Sequence, residues 1–141
     1  MKKVILSLAV SLDGFIEGPS GEIDWCIMED DMNFGAFLES IDTMFYGRVS
    51  YDAWGNYQPD TGASAAEKAM WQSIHAKCKL VFSKQDRQDE NAKFISSDIA
   101  SKVAEIKKQA GKDIWLYGGA NHIKFFIHLG LMIFTIYRSI R

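Results

Sequence analysis

Four short stretches of the chain combine residue types that can do chemistry. Tyr46-Gly47-Arg48-Val49-Ser50 puts a glycine turn, a guanidinium and a hydroxyl at an expected helix start, where unpaired backbone N–H groups and the dipole favour an anion such as phosphate. Tyr117-Gly118-Gly119-Ala120 repeats the device, with glycines that let a pyrophosphate approach the backbone ahead of a helix. Ser83-Lys84 offers a hydroxyl and a cation that would extend a phosphate-binding rim. Asp24, Glu29, Asp30 and Asp31, beside Trp25 and Phe34, offer carboxylates that can hydrogen-bond the amidine-like edge of a heterocycle and help supply a proton. Each stretch also has a plainer reading: an ordinary turn for the glycines, a strand end with a solvated lysine, a helix cap for the acidic cluster. There is no G-x-G-x-x-G and no Walker A pattern, and His75, His122 and His128 lack metal-ligand spacing, so no metal is expected.

The elements between these stretches decide whether they meet. Val4 to Val10 is apolar nearly throughout, as in a strand buried on both faces, and Asp13-Gly14 ends it. Met32, Phe34, Phe37, Leu38 and Ile41 recur at helical spacing over residues 29–41, followed by a short strand at 43–46 and a helical segment through Tyr51 and Trp54. A helix over 64–75 leads to a strand over 79–83, a charged run at 84–91 reads as a solvated loop, and residues 94–95 read as a short strand. Asp98 is the expected N-cap of a helix to Gln109, with Gly111 as its stop, before a buried strand over 113–117 and a helix from about Ala120 to Leu129. Strands alternating with helices predict a three-layer αβα architecture around a mostly parallel sheet. Ligands of such sheets bind beyond the carboxyl ends of the strands, and the candidate phosphate stretches follow strands.

The 141 residues, 48% hydrophobic, suit a single domain spanning 1–141. With 16 Lys plus Arg against 18 Asp plus Glu there is no basic footprint for nucleic acid. Cys26 and Cys78 stand far apart, which fits a reducing cytoplasm and two small buried hydrophobes rather than a disulfide framework. The apolar run after Lys2-Lys3 is too short for a signal peptide, and the tail from Ile127 to Ile136 is about half the length of a membrane span.

Taken in order, five motifs resemble the dihydrofolate reductase-like superfamily, in the branch of the reductase domain of the bifunctional riboflavin-biosynthesis deaminase–reductase. They are Leu8 to Ile16, Ile23-Asp24-Trp25, Tyr46 to Tyr51, Leu80 to Ser83, and Ile114 to Ala120, within a resemblance covering about residues 3–130. The resemblance implies an NADPH-dependent reductase, similar to 5-amino-6-(5-phosphoribosylamino)uracil reductase. Ala9 and Ile16 would border the nicotinamide, and Gly118, Gly119 and Ala120 would approach the pyrophosphate. Gly47 would make the turn that presents Arg48, which with Ser50 and Ser83 would hold the 2′-phosphate. A guanidinium that pairs bidentately with that phosphate would favour NADPH over NADH. Trp25 and Phe34 would line the substrate site, and Asp30, at a spacing similar to the substrate carboxylate of dihydrofolate reductases, would assist protonation. Phe15 stands where the riboflavin-pathway reductases carry a lysine after S-x-D-G. Dihydrofolate reductase itself, and a non-catalytic nucleotide-binding remnant, are the competing readings.

The segment Gly130 to Arg141 departs from the branch, which continues Gly-Leu-Ile-Asp-Glu and then a strand ending in His-Pro. One permitted codon string for Met132 to Arg141, read from its third base, encodes Asp-Ile-Tyr-Asp-Ile-Ser-Ile-His-Pro, so a frameshift with loss of the closing strands is the expectation here. Met132 to Tyr137 nevertheless has the composition of a strand. An apolar segment at a sheet edge favours a homodimer or higher oligomer.

Overall fold

The computed structural model describes residues 2–10, 34–118, 120–128 and 132–138. In chain order these form β1 (Val4–Val10), α1 (Phe34–Glu39), β2 (Ile41–Gly47), α2 (Arg48–Trp54), α3 (Ala65–His75), β3 (Cys78–Phe82), β4 (Lys93–Ile95), α4 (Ile99–Lys108), β5 (Asp113–Gly118), α5 (Ala120–His128) and β6 (Met132–Arg138). The strands make one six-stranded sheet in the order β4-β3-β2-β5-β1-β6, and every pairing is parallel. All the carboxyl ends therefore lie along one edge of the sheet.

Alternation along the strands feeds two cores. Phe45, Leu80, Phe82, Ile114 and Leu116 pack on one face with Val103 of α4 and Phe126 of α5. Met44, Tyr46, Val81 and Trp115 pack on the other with Leu38 of α1, Tyr51 of α2, and Trp71 and Ile74 of α3. Neither face of the central strands meets water, which is why their sequences lack polar alternation. This is the three-layer arrangement expected from the sequence.

Several local expectations need correction. Helix α1 is described over Phe34–Glu39 and ends before Ile41, which was expected in that helix and instead opens β2 as a buried residue. The 29–33 part of the expected helix lies outside the described residues. Asp98 stands at the N-cap of α4 but in the left-handed region, at φ 51°, and its side chain caps nothing. Gly111 lies beyond the α4 C-cap, Gln109, and has φ 139°; a Cβ there would sit 2.5 Å from Asp42 Oδ2. Its glycine is required by close approach to the Lys2–Asp42 pair rather than by the helix end. Cys78 is exposed at the first position of β3, not buried, while Cys26 lies outside the described residues. The α3 start is as the residues suggest: Ser64 Oγ accepts from the Glu67 N–H at 3.1 Å.

The segment Met132–Arg138 forms β6 and pairs with β1 at all seven positions, from Val4 opposite Met132 to Val10 opposite Arg138. No described helix is long and apolar enough to cross a membrane.

Candidate functional site

The register of the sheet brings the expected strand tips together. Gly47, the last residue of β2, pairs with Phe82, the last of β3, so Arg48 and Ser83 leave adjacent strands at the same level. On the other side of β2, Tyr46 pairs with Gly118, the last residue of β5. Ala120 opens α5 just beyond it. Ala9 lies near the carboxyl end of β1, the strand next to β5. Phe34 is the first residue of α1. Ile16, Trp25, Asp30 and Gly119 lie outside the described residues, as do the remaining members of the acidic cluster.

Tightly packed aromatic rings underlie these tips. Tyr46 and Tyr117, neighbours on β2 and β5, have ring centroids 5.1 Å apart, and Tyr51 of α2 meets Tyr46 edge-on at 5.6 Å. Burial raises the Tyr117 phenol to about 12 and raises that of Tyr46 further, with the neighbouring phenols Tyr117 and Tyr51 adding to the effect. Both rings thus stay neutral and, with Tyr51, form an aromatic floor.

Above the floor, the polar groups are open. Arg48 is half-exposed, and its one protein partner among the described residues is Asp52, one turn along α2, at 3.2 Å from Nη1 to Oδ2. The rest of its guanidinium fork remains available to an anion. Ser83 Oγ accepts from the Gln85 N–H at 3.2 Å, which leaves its own O–H to donate elsewhere. Ser50 sits on α2, partly buried, two residues after Arg48.

The charged run after Ser83 is an exposed loop, as its composition suggests, but several of its side chains have fixed partners. Arg87 Nη1 reaches Asp52 Oδ1 at 2.9 Å, and its guanidinium lies over the Phe94 ring, 4.3 Å from the centroid. Arg87 Nη2 also meets Asp89 Oδ2 at 3.4 Å. Asp89 Oδ1 accepts from the Asn91 N–H at 2.8 Å and from Tyr51 Oη at 2.9 Å. The Asn91 bond is the main reason the Asp89 carboxyl sits below its usual range, against the opposing effect of burial, with Tyr51 and Arg87 adding to the depression. Arg87, Asp52 and Asp89 were not singled out by residue type. A cavity of about 480 Å³ opens beside this loop, lined by Asp86, Arg87, Asp89 and Phe94, and none of the expected site residues lines it. Among the described residues there is no group of His, Cys, Asp and Glu placed to hold a metal.

A family model described as "RibD C-terminal domain" matches residues 2–132, nearly the whole chain. The chain belongs to the RibD C-terminal domain family. It is thereby a member of a reductase-type family with the dihydrofolate reductase-like fold. Among curated relatives it is 53% identical over 132 residues to the protein YyaP of Bacillus subtilis (strain 168), covering 93% of this chain and 70% of that protein. To YwjB of the same organism it is 29% identical over 130 residues, covering 89% and 69%. Two solved structures share the fold. A Shewanella sp. PV-4 protein assigned to riboflavin biosynthesis superposes with a TM-score of 0.69 at 20% identity, covering 96% of this chain and 77% of that one. A dihydrofolate reductase of Enterococcus faecalis, complexed with NADP(H) and RAB-propyl, gives a TM-score of 0.62 at 18% identity, covering 98% of this chain and 70% of that one.

Proposed function

We propose that this member of the RibD C-terminal domain family is an NADPH-dependent reductase of a small heterocycle. The observation that carries the reading is the common level at which Arg48 and Ser83 leave β2 and β3, with Gly118 one strand away. That arrangement fits the cofactor on chemical grounds. A guanidinium with N–H groups that no described residue other than Asp52 engages, beside the Ser83 and Ser50 hydroxyls, suits a 2′-phosphate, and a strand-end glycine suits the approach of a pyrophosphate. When bound, NADPH supplies the hydride, and the protein supplies binding, orientation and electrostatics.

In this reading Arg48, Ser50 and Ser83 hold the 2′-phosphate. Gly47 makes the turn that presents Arg48, Gly118, Gly119 and Ala120 face the pyrophosphate, and Ala9 and Ile16 border the nicotinamide. Trp25 and Phe34 line the substrate site and Asp30 assists protonation. The substrate class is a pyrimidine-like heterocycle such as 5-amino-6-(5-phosphoribosylamino)uracil, with Phe15 as the position that would alter specificity within the branch. The free Cys78 thiol suits a reducing cytoplasm. A homodimer is part of the proposal, supported by β6, an apolar strand at the edge of the sheet.

The test is nucleotide titration followed by turnover. Saturable NADPH binding with much weaker NADH binding is expected, and NADPH oxidation should follow addition of the aminopyrimidinone phosphate and not of dihydrofolate. Oxidation with dihydrofolate alone would make the chain a dihydrofolate reductase. Absence of any nucleotide binding would leave it a non-catalytic member of the family.

A further inference from the structure

We propose that Asp52 and Arg87 are positioning residues that set how strongly Arg48 engages a 2′-phosphate. The inference rests on the reading of Arg48 given above. Asp52 is a single carboxylate shared by two guanidinium groups: Oδ2 takes Arg48 at 3.2 Å and Oδ1 takes Arg87 at 2.9 Å. The two arginines are held very differently. Arg87 is fixed from three directions, by Asp52, by Asp89 at 3.4 Å and by the Phe94 ring beneath it. Asp89 is itself tied to Tyr51, so this cation is anchored to α2 through Asp52 and Asp89 and to β4 through the Phe94 ring. Arg48 has only the one longer contact to Asp52 among the described residues.

The consequence is a competition for one carboxylate. Asp52 draws the Arg48 guanidinium along α2, away from a phosphate, and places a negative charge close to where that phosphate would bind. Arg87 neutralises part of this charge and occupies one of its oxygens, which leaves Arg48 easier to recruit. The strength of the 2′-phosphate contact is thus graded by a residue that never touches the ligand. Asp52 acts through Arg48, and Arg87 acts through Asp52.

Calorimetric titration of the full chain with 2′,5′-ADP and with 5′-AMP separates this role from a merely structural one, because only the first carries the extra phosphate. Asp52→Asn is expected to tighten 2′,5′-ADP about two- to fivefold, the range of an exposed ion pair, and to leave 5′-AMP unchanged. Arg87→Gln is expected to weaken 2′,5′-ADP by a similar factor. In the double variant the Arg87 effect should vanish, because its carboxylate target is gone. Equal changes for both nucleotides, or strictly additive effects, would overturn the inference. Arg48→Gln provides the separate control: if it leaves the preference for 2′,5′-ADP intact, the parent reading of Arg48 fails. If it abolishes the preference while Asp52→Asn changes nothing, only the present inference fails. Should Arg87→Gln loosen its loop, the exposed Asp52→Asn change carries the test alone.

Discussion

Gly47 at the end of β2 stands directly opposite Phe82 at the end of β3, so the guanidinium of Arg48 and the hydroxyl of Ser83 start from neighbouring strands at one level of the sheet. Nothing in either residue's immediate sequence context dictates this. It follows from parallel pairing, which places every strand's carboxyl end along the same edge. The core beneath has to hold that register.

Phe45 belongs to that core. It is fully buried on β2, meets Phe82 edge-on at 4.9 Å, and lies 5.7 Å from Phe126 of α5. Phe45→Ala should cost about 3–5 kcal/mol of stability, measured by urea denaturation, because contacts with β3 and α5 are lost at once. A loss under about 1 kcal/mol would show that the ring is not packed as described.

How much of this was legible in the sequence differs from place to place. β-Branched and apolar runs marked β1, β3 and β5 because strands covered on both faces carry no polar alternation. Ser64 and Glu67 marked the start of α3 because a hydroxyl three residues before an N–H makes a local cap. Ile41 is ambiguous in sequence because an apolar residue after a helical repeat fits either a helix or a strand, and only its burial beside β5 decides. Asp98 has the residue type of a cap but does not make one, since residue type does not report φ. The role of Gly111 depends on Lys2 and Asp42, far away in sequence. The 84–91 loop is exposed as expected, but the partners of Arg87 were not legible, because a charged run carries no sign of the Phe94 ring or the Asp52 carboxylate that meet it in space. Lys79 is similar: it is buried on β3 and donates to Gly55 O and His75 Nδ1, with burial lowering its ammonium pKa despite the opposing influence of Asp89.

Acid stability should depend on Asp42. Burial opposes its ionisation, but bonds from Lys2 Nζ at 2.8 Å, the Lys112 N–H at 2.9 Å and Thr43 Oγ1 at 2.8 Å outweigh that and hold its pKa below the ordinary value. A depressed carboxylate pKa stabilises the fold above the unfolded value of about 4 and loses that contribution as the pH falls through the folded one. Asp42→Asn is expected to be about 1–2 kcal/mol less stable at neutral pH, with the gap closing in acid. Denaturation curves across the acid range check this, and a gap that is constant with pH would contradict it.

Alkaline behaviour should depend on the tyrosine floor. Tyr46 and Tyr117 have raised pKa values, so their contribution to stability is present below the unfolded value of about 10 and is lost as the pH rises beyond it. Phenolate absorbance from these two rings should appear only with unfolding. Tyr46→Phe, which among the described residues removes only a 3.6 Å contact to Met44 Sδ, should cost under about 1 kcal/mol at neutral pH and flatten the alkaline decline. Full phenolate absorbance near pH 10 with the circular dichroism unchanged would contradict the burial.

The most direct measurement is the affinity of the unaltered chain and of Arg48→Ala for NADPH and NADH, side by side in one buffer. The unaltered chain should bind NADPH far more tightly, and Arg48→Ala should lose about 10- to 100-fold for NADPH, the range of charge-assisted hydrogen bonds, while NADH is nearly unaffected. Equal losses for both nucleotides, or an unaltered chain that does not distinguish them, would contradict a phosphate-binding role for the strand tips.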